Sequence, residues 1–109
     1  MSNWNRGEIW LLDLNPTLGS EINKTRPAVI VSRSDYNKIA DTMTVVPISA
    51  GRFIPSFHTR FSKLKKDSHA VIPQVRVATK KRFIKKIGKA TEEEMKEIGQ
   101  KLGFYLDLL

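Results

Sequence analysis

Arg26-Pro27-Ala28-Val29-Ile30-Val31 is the stretch on which the fold turns. Four aliphatic residues follow the proline without a polar interruption, three of them β-branched, which is the pattern of a strand covered on both faces. Such a strand needs neighbours on either side. Glu8-Ile9-Trp10-Leu11-Leu12-Asp13-Leu14, bounded by Gly7 and by Asn15-Pro16, supplies one, and residues 43–48, ending at Ser49-Ala50-Gly51, supply another. The polar segment 17–26, with Gly19 inside it, reads as a ten-residue loop between the first two strands. Residues 34–42 suit a short helix or turn. Beyond them, residues 56–62 alternate weakly, 70–72 and 75–78 flank Pro73, and 82–87 form a short basic strand. Six or so short strands with Gly and Pro punctuation predict a small β-barrel or sandwich.

The chain closes on an element of another kind. Thr91 with Glu94 three residues later forms a capping box, and Glu92 and Glu93 complement a helix N-terminus. Met95, Ile98, Leu102, Tyr105, Leu106 and Leu109 recur at helical spacing and give one apolar face. At 109 residues the expected organisation is a single domain, a barrel over about 6–90 and a C-terminal helix over about 91–108. Gly99 and Gly103 weaken the helix but permit close approach of a neighbour, either the barrel or a second subunit.

The net charge of +8 is unevenly spread. Residues 1–59 carry six Lys/Arg against five Asp/Glu, residues 60–89 eleven against one, and residues 90–109 two against five. The middle block favours a polyanion, with nucleic acid as the leading class. There is no cysteine, which excludes disulfides, thiolate metal sites and cysteine nucleophiles. No apolar run approaches the roughly 18–20 residues that span a bilayer, and the first six residues do not resemble a signal peptide. A cytoplasmic protein without membrane contact is expected.

Several chemistries lack their residues. His58 and His69 have no histidine or cysteine partner at ligand spacing, so no zinc site is expected. Phosphate-binding glycine loops, a nucleophile elbow and an acidic two-metal cluster are absent from the sequence. RNA, however, carries its own nucleophile in the 2′-hydroxyl. Cutting it without metal requires alignment, two proton transfers and stabilisation of charge on the phosphoryl oxygens. Arg26, at the junction of loop and core strand, offers a bidentate fork to phosphate, and Ser49 occupies a comparable place at the end of the next strand. In isolation each also fits a plain surface role.

Taken in order, the motifs resemble a known family. Arg6-Gly7-Glu8-Ile9-Trp10, Asp13-Leu14-Asn15-Pro16-Thr17, Gly19-Ser20-Glu21 and Thr25-Arg26-Pro27-Ala28-Val29-Ile30-Val31 are similar to the N-terminal signature of the MazF/PemK toxin endoribonucleases. Val46-Pro47-Ile48-Ser49 resembles the second motif of that family and Gln74-Val75-Arg76 its third. The resemblance implies an SH3-like β-barrel of the PemK/CcdB kind. It also implies a homodimer, cleavage of single-stranded RNA at short sequence motifs without a cofactor, and inhibition by a cognate antitoxin, an acidic and partly disordered chain. Arg26 and Ser49 then fall on the catalytic pair. The loop residues Asn15, Thr17, Ser20, Lys24 and Thr25, together with Gln74 and Arg76, fall beside the RNA. His58 joins them as an expected RNA contact.

One branch of the family has a histidine where this chain has Ser20 and an aspartate where it has Pro73, so neither position supplies acid or base chemistry here. Arginine, with a pKa above about 12, is no general base. Glu21 is the nearest carboxylate in the motif and is expected either to act as base or to orient Arg26. Two other readings stay open: a non-catalytic, CcdB-like toxin that inhibits DNA gyrase, and a plain nucleic-acid-binding barrel stacking bases on Trp10 or Phe53.

Overall fold

In the computed structural model, residues 3–15, 24–65 and 67–109 are described. The strands are β1 (Glu8–Asp13), β2 (Thr25–Ile30), β3 (Thr42–Ser49), β4 (His58–Arg60), β5 (His69–Val71), β6 (Arg76–Thr79) and β7 (Phe83–Lys89). Helix α1 (Ser34–Ile39) joins β2 to β3, and α2 (Glu92–Tyr105) follows β7. Short 3₁₀ turns at Ile72–Gln74 and Lys80–Arg82 connect β5 to β6 and β6 to β7.

Every pairing is antiparallel, in the order β4-β5-β3-β2-β1-β7, with β6 also on β3. The eight-residue β3 is the hub. One of its edges pairs with β2, while the other pairs first with β6 over residues 42–45 and then with β5 at Ile48 and Ser49. The sheet thus curls into a barrel-like shape, but the pairing among the described residues does not close into the barrel expected from sequence.

The unbroken aliphatic run of β2 is explained by what lies on its two faces. Val29 joins Ile9, Val46 and Ile48 in a core closed by Met95 and Ile98 of α2. Ala28 and Ile30 join Trp10, Leu12, Met43 and Val45 in a second core on the opposite face. Alternation along β1, β2 and β3 therefore feeds two cores rather than one core and solvent. Trp10 lies in the second core, stacked on Trp4 at 4.7 Å and edge-on to Phe83.

Two elements depart from the sequence expectation. β2 begins at Thr25, so Arg26 is the second residue of a strand, paired with Leu12, and not the last residue of a loop. Helix α2 has the expected capping box, with Thr91 Oγ1 accepting from Glu94 N and Glu94 Oε1 accepting from Thr91 N. It ends at Tyr105, earlier than expected, because Asp107 takes a left-handed conformation (φ 61°) and Leu108 N turns back to Gly103 O at 2.7 Å. The close approach at Gly103 is to the chain's own Leu109, which a Cβ there would meet at 2.8 Å.

Candidate active site

The Arg6-Gly7-Glu8 motif anchors the end of β2 away from Arg26. Gly7 has φ +97°, which favours glycine, and a Cβ on it would press on Met95 at 3.3 Å. Its N–H donates to Ile30 O and its carbonyl accepts from Ala90 N, so it locks β2 to the entry of α2. Glu8 is buried, 1% exposed. Its carboxylate accepts from Trp4 N, Asn5 Nδ2 and Trp10 Nε1 and pairs with Lys86 Nζ of β7 at 3.3 Å. Burial by itself would raise the pKa of this carboxyl, but hydrogen bonds from Trp10, Asn5 and Lys86 outweigh it and hold the group below its ordinary value.

Arg26 and Ser49 are brought together by register. Ala28 pairs with Pro47 across β2 and β3, and the same antiparallel register carried two residues further sets Arg26 opposite Ser49. Both line one cleft of about 380 Å³, with Pro27, Ile48, Leu64, Lys65, Ser68 and Ile87. Arg26, Ser49 and Ser68 are half-buried and Lys65 is exposed. The cleft thus combines an aliphatic floor with a guanidinium, an ammonium and two hydroxyls, a set suited to gripping an anion. Leu64, Ser68 and Ile87 carry no signal of their own in the sequence, and Lys65 stands out there only as part of the basic block of residues 60–89.

The expected RNA-binding residues fall into separate groups. Thr17, Ser20 and Glu21 lie outside the described residues. Asn15 and Lys24 hold the two ends of segment 16–23 together: Asn15 N donates to Asp13 Oδ1, Lys24 N donates to Asn15 Oδ1, and Leu14 N donates to Lys24 O. Thr25 begins β2 opposite Asp13, exposed at the same end. Arg76 reaches this neck as well, through Nη1 to Leu14 O at 3.4 Å. So does Arg82, which the sequence did not single out and which donates to the carbonyls of Asp13 and Asn15. Gln74 ends the 3₁₀ turn before β6, half-buried.

His58, expected as an RNA contact, is turned inward. It is 6% exposed, its Nδ1 accepts from Ile54 N at 3.0 Å, and its ring stacks on His69 at 4.8 Å with Phe53 edge-on to both. Burial, then His69 and Lys101 nearby, push this imidazole below its ordinary pKa. The two histidines that looked isolated in sequence are therefore stacked on paired strands. No group of three His, Cys, Asp or Glu able to hold a metal occurs among the described residues, and no helix there is long and apolar enough to cross a membrane.

The chain is thus an antiparallel, barrel-like sheet with one C-terminal helix, carrying an Arg/Ser cleft at the ends of two adjacent core strands. Residues 5–106 match the family described as the PemK-like, MazF-like toxin of type II toxin-antitoxin systems, and the chain belongs to it. A curated relative, endoribonuclease MazF9 of Mycobacterium tuberculosis, is 34% identical over 113 residues, covering 94% of this chain and 96% of the relative. Among solved structures, MazF of Deinococcus radiodurans superposes with a TM-score of 0.83 at 23% identity, over 94% of this chain and 96% of that one. An endoribonuclease solved with its cognate antitoxin, from a mycobacterial species, gives 0.80 at 20% identity over 96% of each.

Proposed function

We propose that the chain is a sequence-selective endoribonuclease toxin that cuts single-stranded RNA by attack of a 2′-hydroxyl on the adjoining phosphorus. The observation that carries this reading is the meeting of Arg26 and Ser49 in one cation-lined cleft. The 2′-oxygen forms a bond to phosphorus, the bond to the 5′-oxygen breaks, one proton leaves the nucleophile and one reaches the leaving oxygen. Arg26 stabilises the charge that gathers on the phosphoryl oxygens or donates the proton to the leaving group. Ser49 positions the reacting phosphate. Glu21 is the first residue to test as base, because the described lining of the cleft offers no carboxylate or imidazole.

The enzyme acts in the cytoplasm as a homodimer and is neutralised by an acidic cognate antitoxin that fills the same groove, which fits the relative solved with its antitoxin. The subunit contact is assigned to the end of α2, where Phe104, Tyr105, Leu106, Leu108 and Leu109 are exposed and Phe104 stacks on Phe57. Incubation of the pure protein in EDTA with a panel of defined single-stranded RNAs is expected to give discrete cuts. Arg26→Ala lowers their rate by about 10²-fold or more with the melting temperature unchanged. Equal cutting by that variant would remove Arg26 from the site.

A further inference from the structure

The cleft does not end at its aliphatic wall. Leu64 and Ile87, which line it beside Arg26 and Ser49, also line a second hollow of about 220 Å³ whose other residues are Ile9, Phe61, Lys63, Gly88, Lys89 and Glu94. Its floor is core: Ile9 and Phe61 are buried. Its rim is cationic, since Lys63 and Lys89 are exposed.

Ile87 stands between the two hollows for a structural reason. Ile9 pairs with Gly88 and Trp10 with Lys86, so Ile87 is the extra residue of a β-bulge, without a partner on β1. A bulge of this kind re-aims one side chain, and Ile87 is 40% exposed, with Lys86 before it and Gly88 after it. Gly88 beside it leaves room, because a Cβ there would meet no atom within 4 Å. On the far side, the carboxylate of Glu94 is fixed by Thr91 N on Oε1 at 2.9 Å and Ser62 N on Oε2 at 2.7 Å. Each carboxylate oxygen has a second lone pair for a further donor.

An apolar slot with lysines at its rim and one oriented acceptor matches a nucleobase, whose flat face stacks on carbon and whose edge carries donors. Resting on the endoribonuclease reading, we infer that this hollow is a nucleotide subsite. It receives the base next to the scissile phosphate, Ile87 separates that base from the phosphate held at Arg26, and Glu94 accepts from a donor on the edge of that base.

The test uses Gly88→Val, which adds a side chain to the lining of the slot at a position where a Cβ meets no other atom within 4 Å. Wild type and variant are compared on RNA oligonucleotides carrying one abasic nucleotide at each position around the cut, and wild-type cut sites are mapped in a random-sequence RNA. At one position next to the cut, loss of the base is expected to lower wild-type kcat/KM roughly tenfold. Gly88→Val is expected to lose a similar factor on intact RNA and nothing further on the abasic one, at an unchanged melting temperature. Ile87→Ala should show the same non-additivity more weakly. Gly88→Val cutting intact RNA as fast as the wild type, or loss of the base without effect at every position next to the cut, overturns the subsite. A wild type that cuts no RNA overturns the endoribonuclease reading itself, and the subsite with it.

Discussion

Glu8 shows how a motif residue can hold the fold together. Its carboxylate gathers Trp4, Asn5, Trp10 and Lys86 in a buried setting. Removing it leaves those donors without their acceptor, so Glu8→Ala is expected to cost about 2–4 kcal/mol in chemical denaturation. Because its folded pKa is depressed, the stability it contributes is present above its unfolded pKa near 4.3 and is lost as pH falls through the lower, folded value. His58 acts in the same sense at higher pH. Its folded pKa also lies low, so the fold favours neutral imidazole and stability declines as pH drops below about 6.5. Denaturation at pH 7.5 and 5.5 should show that decline in the wild type and a flatter profile in His58→Gln; parallel profiles would contradict it. Neither burial was legible in the sequence. Glu8 opens a strand like any solvent-facing carboxylate, and His58 gains its stacking partner only when β4 pairs with β5.

Local chemistry announced some elements outright, and register hid others. The capping box of α2 needed only Thr91 and Glu94 three residues apart, and Thr91→Ala is expected to remove about 1 kcal/mol, or roughly 4 °C of melting temperature for a domain of this size. The aliphatic run of β2 was equally plain, because burial on both faces leaves no polar alternation to confuse. β7 was harder. Ile84 and Ile87 cannot share one face of a regular strand, and both are left without partners where the β1–β7 register shifts. A bulge is a property of two strands together, which one strand's sequence does not display. The same limit explains Arg26. Its neighbours marked a strand start, but its partner Ser49, 23 positions away in sequence, emerged only from the β2–β3 register or from resemblance to the family.

Across the molecule, basic and acidic charge fall on different stretches of the chain. The basic block of residues 60–89 supplies Lys65 to the first hollow and Lys63 and Lys89 to the second, while α2 opens with three consecutive glutamates and closes on exposed apolar residues. RNA binding should therefore weaken steeply with salt, and replacing any one of those lysines that touches a phosphate should reduce the log–log slope by about 0.7. In sedimentation experiments Phe104→Glu is expected to turn the proposed dimer into a monomer without unfolding it; a wild type already monomeric would contradict the proposed contact. The central claim is that Arg26 and Ser49 catalyse attack by the 2′-hydroxyl of the substrate itself. It is tested most directly by cleavage, in EDTA, of one RNA oligonucleotide and of its twin carrying a single 2′-deoxy nucleotide at the cut. The expected result is cutting of the RNA at that bond and none of the twin; equal cutting of both would contradict the mechanism.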